Sequence, residues 1–191
     1  MDIACMSEIN LDLNKASVKY KLHEKAKSFD KNSTLTMTAS KAIPTDNEIK
    51  RGGTMIFTRG NWSGREVERG EDKLGRWTYT SLNGKADRKL TIISTYCVCD
   101  QKSHGDGNCT IYMQQEYDLL NAGRECTDPR EAILLDLTKF IDSKQKKGHD
   151  VIIMGDFNSD IDNSGRIAKF LTDNKMYDAV KVKHPGQGPS T

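Results

Sequence analysis

The chain has 191 residues, of which 36% are hydrophobic and 29% charged, with a formal net charge of +2. That length supports one domain with a sizeable core. No apolar run reaches the roughly 18 residues of a membrane span, and the N-terminus lacks the basic stretch and apolar core of a signal peptide, so a monomer inside the cell, nuclear or cytoplasmic, with no membrane partner is the expectation.

Five cysteines (Cys5, Cys97, Cys99, Cys109 and Cys126) are an odd set without a secretory context, which predicts reduced thiols. The small net charge conceals a division. Residues 15–89 carry 17 Lys and Arg against 9 Asp and Glu, and the remainder carries 12 against 18. A basic half and an acidic half suit an enzyme that holds a polyanion on one side and cations on the other. They equally describe solvated loops and helix faces.

In chain order, Asp2 to Met6 is a short apolar run that predicts a buried strand ending at Ser7-Glu8. Residues 10–36 give weak structural signals, and Ile43-Pro44 to Lys50 reads as a loop. Thr54 to Thr58 predicts a strand and Arg59 to Gly64 a turn. Trp77 to Thr80 alternates aromatic residues with Thr, and Asn83-Gly84 is a hairpin signal. Leu90 to Val98 is the strongest β run, so an antiparallel meander is expected over about 51–98. Thr110 to Leu120 predicts a helix. Asp128-Pro129 caps a second helix, with Ile133, Leu134, Leu137, Phe140 and Ile141 at helical spacing and Gly148 at its end. Val151 to Met154 predicts a central buried strand. Ser164 is expected to cap a last helix carrying Ile167, Ala168, Phe170 and Leu171, and the tail from His184 reads as a loop.

Chemistry concentrates at Gly155-Asp156-Phe157-Asn158. A buried strand delivers a carboxylate and, two residues on, a carboxamide on the same side. These are oxygen ligands of the kind that hard cations and an attacking water require, or they cap a strand-to-loop turn. Glu8 ends another apolar strand, where it is either a convergent ligand or an exposed strand-end carboxylate. Tyr96 closes the strongest strand, as a phosphate donor or as a packing residue with a wet tip.

Residues 153–160, Ile-Met-Gly-Asp-Phe-Asn-Ser-Asp, resemble the Gly-Asp-Phe-Asn signature of the endonuclease/exonuclease/phosphatase superfamily. Cys5-Met6-Ser7-Glu8 is similar to that family's strand ending in a metal-binding Glu, and Thr91 to Tyr96 resembles the strand carrying its active-site Tyr. The order and rough spacing of the three motifs match over nearly the whole chain. The resemblance implies an α/β fold: a four-layer, deoxyribonuclease I-like sandwich of two mixed β-sheets flanked by helices, with the site at the strand ends. It implies divalent-metal-dependent phosphodiester hydrolysis, most simply of DNA, with Mg²⁺ or Mn²⁺ held by Glu8, Asp156 and Asn158. Asp156 then handles the attacking water, Asn158 orients the phosphate or the water, and Tyr96 donates to the phosphate.

The likeness is incomplete at both ends. The family's first strand, with its Asn, precedes the Glu strand and has no counterpart in residues 1–191. Nor have its C-terminal Arg-Ile-Asp-Tyr-like and Ser-Asp-His strands, so a single truncated domain with weak or absent turnover is the expectation. Cys97-Val98-Cys99-Asp100 stands where the family often has Pro-Asn. A phosphatase acting on a small phosphoester and a noncatalytic nucleic-acid-binding relic are the alternative functions. Trp62, Trp77 and Tyr79, lying among basic residues, are candidates for stacking on bases or for the core. Cys97, Cys99, His104 and Cys109 form C-x-C-x4-H-x4-C, one residue short of a zinc knuckle, and read either as a zinc site or as free thiols in a strand and a Gly-rich loop.

Overall fold

The computed structural model describes residues 2–39, 50–100, 110–159, 161 and 165–185. Seven strands form two sheets. The first contains β1 (Ile3–Ser7), β2 (Thr34–Thr38) and β3 (Thr54–Thr58) in the order β1-β3-β2, both pairings antiparallel. The second contains β4 (Glu66–Glu71), β5 (Trp77–Asn83), β6 (Lys89–Tyr96) and β7 (His149–Asp156) in sequence order. There β4-β5-β6 is an antiparallel meander, and β7 joins β6 in parallel after a helical crossover.

Strand alternation explains the layers. On β3, Met55 and Phe57 face α1 (Ala16–Phe29), while Ile56 meets Leu82 and Ile92 of the opposing sheet. On β5, Trp77 and Tyr79 face α3 (Pro129–Lys146), while Thr78 and Thr80 face β3 and β2. Helix, sheet, sheet, helix is therefore the order of layers, the α/β sandwich expected from the sequence. Helix α4 (Gly165–Asp173) joins α3 on the outer face through Ile167 and Phe170. α2 (Ile111–Asn121) and the short α5 (Ala179–Lys183) complete the helices.

The space between the sheets is largely hydroxylic. Thr36 and Thr80 hydroxyls meet at 3.0 Å, Thr54 donates to Thr78 at 3.4 Å, and Ser94 donates to the Met6 carbonyl at 3.0 Å. Each of these buried polar atoms has a partner, which is the condition for burial without penalty. A small apolar cluster, Ile56 with Leu82 and Ile92, also lies between the sheets, and a larger one lies between the second sheet and α3, around Ile93, Ile133, Leu137 and Ile141.

Several sequence expectations need correction. β3 does not belong to the meander: it pairs with β1 and β2 in the other sheet, and the charged segment Glu66–Glu71 supplies the third meander strand. As an outer strand, β4 exposes one edge and tolerates charge. β7 is not central. Among the described residues nothing pairs with its outer side, and Ile152 and Met154 remain 44% and 39% exposed, because the first sheet reaches only as far as β1 above them. Residues 10–36 contain α1 and the start of β2. The helix buries a narrow stripe, Val18, Leu22 and Ala26, in an otherwise polar but helix-favouring run. Trp77 and Tyr79 belong to the core face, so they offer no ring to a base. Most of the 43–50 loop, and Ser164, lie outside the described residues.

A buried charge network ties α3 to the meander. Arg76 pairs with Asp72 at 2.7 Å and with Asp136 at 2.7 Å, and Asp136 also accepts from Arg124 at 2.6 Å. Burial pushes the Asp136 carboxyl up, but hydrogen bonds from Arg124 and Arg76 outweigh it and hold the group below its ordinary range. A carboxylate with a depressed folded pKa adds stability above its unfolded pKa of about 4 and loses it as pH falls through the folded value. The urea midpoint is therefore expected to fall on acidification below about pH 5. Asp136→Asn is expected to cost roughly 3 kcal/mol at neutral pH and to flatten that acid dependence, since it leaves Arg76 partly unpaired; an unchanged pH profile would contradict the assignment.

Candidate active site

Three strands from two sheets end at the same place. β1 stops at Ser7, β6 at Tyr96 and β7 at Asp156, with Tyr96 and Asp156 in direct register. Alternation places Ser7, Tyr96 and Asp156 on the faces their sheets turn toward each other. The Ser7 hydroxyl donates to the Thr95 carbonyl at 2.8 Å and accepts the Asp156 amide at 3.2 Å. One side chain thus bridges the end of β1 to β6 and β7 together.

Gly155 is required for this approach. Its φ is +151°, and a Cβ at that position would overlap the Thr95 carbonyl oxygen across the ladder. Immediately beyond, the Asp156 carbonyl accepts the Cys97 amide at 2.8 Å, extending the β6–β7 pairing past both motifs.

Glu8 turns back over this end. It adopts a left-handed φ of +53°, as does Asn10, and the segment is held by Ile9 and Asn10 amides donating to Gly53 and Gly52 carbonyls. The Asn10 side chain returns the bond, accepting the Gly52 amide at 2.8 Å. Glu8 therefore reaches the Tyr96 hydroxyl, which donates to its Oε1 at 3.3 Å. Burial first, then the Glu8 carboxylate, with Cys99 and Asp156 adding to it, holds the Tyr96 phenol well above its ordinary range. Tyr96 is a proton donor at every working pH, and both candidate carboxylates act on it.

Asp156 is exposed and Asn158 half-buried. One Asp156 oxygen caps the Asn158 amide at 2.8 Å, so the turn-capping reading holds for that oxygen. Asn158 has φ +46° and donates its side-chain amide to the Cys97 carbonyl at 2.7 Å. Its side-chain carbonyl is the end left to ligate or orient. The structure thus brings together Glu8, Tyr96, Asp156 and Asn158. Two carboxylates and a carboxamide at an open, wet strand end match the oxygen donors that Mg²⁺ takes while keeping several waters. Among the described residues no group of three or more His, Cys, Asp or Glu is placed to hold a metal ion, so a metal here would rest on two carboxylates, the Asn158 side chain and water.

Two contributors escape the sequence reading. Ser7 is one. The other is Arg130 in the first turn of α3, whose guanidinium donates to the Asn158 carbonyl at 2.8 Å and to the Ser159 hydroxyl. Arg130 fixes the loop that carries Asn158. Its only sequence signal is its place directly after Asp128-Pro129, which aims the start of α3 at the β7 terminus.

Of the zinc-like set, Cys97 is buried in the core beside α3, and burial pushes its thiol up to about 11. Cys99 is exposed, and His104 and Cys109 lie outside the described residues. His149 pairs with Thr91 at 2.8 Å at the opposite end of β7. No helix among the described residues is long and apolar enough to cross a membrane.

No family model matches the chain, and no curated protein is detectably similar in sequence. Among solved structures it aligns with an endonuclease/exonuclease/phosphatase family protein from Leptotrichia buccalis C-1013-b at a TM-score of 0.47 and 13% identity. The alignment covers 91% of this chain and 62% of that one, so the chain spans less than two thirds of that structure's length.

Removing the bridge tests the geometry. Ser7→Ala strips the Asp156 amide and the Thr95 carbonyl of their partner and is expected to destabilise the fold by about 1–3 kcal/mol in urea unfolding. A loss under about 0.5 kcal/mol, the range of neutral surface changes, would mean that the hydroxyl does not join the sheets.

Proposed function

We propose that this chain carries out divalent-metal-dependent phosphodiester hydrolysis on nucleic acid, with DNA the leading substrate, in the manner of the endonuclease/exonuclease/phosphatase superfamily. The observation that carries this reading is the meeting of Glu8, Tyr96, Asp156 and Asn158 at one inter-sheet strand end. The residues arrive there from three strands and two sheets, in the order of the motifs that resemble that superfamily.

Glu8, Asp156 and the Asn158 side-chain carbonyl would hold Mg²⁺ or Mn²⁺. When bound, the ion neutralises phosphate charge and lowers the pKa of water. The chain's own residues do the rest. Tyr96 stays protonated and donates to a non-bridging phosphate oxygen, leaving its present acceptor on Glu8. Asp156 is exposed and within one residue of the loop fixed by Arg130, which suits it to orient an attacking water and take its proton. His149 lies at the opposite end of β7, paired with Thr91, and so takes no part in that task.

The test is nicking of supercoiled plasmid in Mg²⁺ and in chelator. Weak metal-dependent nicking is expected, in keeping with the missing C-terminal strands, and Asp156→Ala is expected to reduce it by about 10²-fold or more, the scale of a lost general base. Nicking that persists in chelator, or that survives Asp156→Ala unchanged, would refute the assignment. Hydrolysis of small phosphomonoesters without nicking would move it to the phosphatase branch.

A further inference from the structure

The opposite end of the sandwich is built differently. There the C-terminus of α1 and the short 3₁₀ segment Gly60–Arg65 flank an open cleft of about 630 Å³. Its polar wall is formed by Lys27, Lys31, Asn32, Asn61, Ser63 and Arg65, and among the described residues no carboxylate lines it. The nearby Asp30 is already engaged. It accepts the Asn32 amide at 2.8 Å and the Gly60 amide at 2.9 Å, and those backbone bonds hold its carboxyl below the ordinary range.

The cations are only partly offset: Lys27 and Arg59 lie close enough to act on the Asp30 carboxylate. Lys27 is braced by the Lys31 and Ser33 carbonyls at 2.8 and 2.9 Å, which satisfy two of its protons without cancelling its charge. Arg65 lies over the Trp62 ring at 5.7 Å, and that ring packs beside Leu82 and Leu90. Among the described residues neither Lys31 nor Arg65 forms an ion pair. The β5–β6 hairpin adds Lys85 and Lys89 at the same end.

We infer that this cleft is a second phosphate-binding site that anchors the backbone of a nucleic acid away from the candidate active site. The inference rests on the proposed hydrolysis of phosphodiesters and narrows its substrate. Tyr96 and Lys89 are the two ends of β6, so the basic end and the candidate site are roughly 23 Å apart at about 3.3 Å per residue. A small phosphoester cannot engage both. A strand with one phosphate per roughly 3.4 Å needs about eight nucleotides to cover that span. A second concentration of basic side chains at that distance selects for a polymer.

The experiment uses the full chain carrying Asp156→Ala, so that nothing is cleaved. A fluorescein-labelled single-stranded DNA of about 30 nucleotides is titrated by anisotropy across a salt series, with and without Lys31→Gln and Arg65→Gln together. Two lost phosphate contacts are expected to lower the slope of log K against log salt by about 1.4, which is about 25-fold in affinity at 0.1 M salt. Equal affinity and equal slope would overturn the inference. Should the double variant fold poorly, acetylation of Lys27 and Lys31 in the parent chain gives the same answer. Protection by the oligonucleotide supports the anchor, and equal labelling with and without it overturns it. Cleavage is read separately: a chain that binds through the cleft yet never nicks plasmid keeps the anchor and loses the hydrolase reading, and one that nicks without cleft-dependent binding does the reverse.

Discussion

The Ser7 hydroxyl occupies the seam between two sheets that share no ladder. It donates to the Thr95 carbonyl and accepts the Asp156 amide, so one atom serves β1, β6 and β7 at once. Everything at the candidate site follows from that contact. It sets how far β1 extends over the second sheet, and so where the chain must turn at Glu8. The left-handed Glu8 then brings its carboxylate to Tyr96. Gly155 lets β6 and β7 approach closely enough for the Asp156 amide to reach Ser7 at all.

The hydroxyl pairs between the sheets extend the same logic. An oily interface would let two sheets slide over one another at little cost. Thr36 on Thr80 and Thr54 on Thr78 are directional contacts that would each be left unsatisfied by a shift of register. Apolar adhesion is delegated to the outer layer, where Leu137 and Ile141 of α3 meet Ile93. The inter-sheet layer supplies alignment, and alignment is what a site assembled from both sheets requires.

Local chemistry made the centre of the site legible. Gly155-Asp156-Phe157-Asn158 after an apolar run, Glu8 after another, and Tyr96 closing a third are all short-range patterns. What sequence could not convey was contact at long separation. Ser7 and Arg130 look like an ordinary strand-end serine and an ordinary helix arginine until Asp156 and Asn158 arrive beside them. Elsewhere tertiary pairing overrides the local signal. β3 has the β-propensity of a meander strand but finds better partners in β1 and β2, and a charged segment takes its place as β4. The apolar run of β7 suggested burial on both faces, yet the first sheet covers only one end of it. Helix α1 was hidden because it buries so thin a stripe.

The sandwich separates two kinds of charge along its strands. Glu8 and Asp156 stand where β1 and β7 end, and Lys27, Lys31 and Arg65 line the cleft at the other end. A direct measure of the acidic end is Mn²⁺ titration followed by electron paramagnetic resonance. If Glu8, Asp156 and Asn158 form one oxygen-ligand site, a single ion binds to the folded chain and is lost in both Glu8→Gln and Asp156→Asn. Mn²⁺ binding that is unaltered in both folded variants would contradict the convergence on which the account depends.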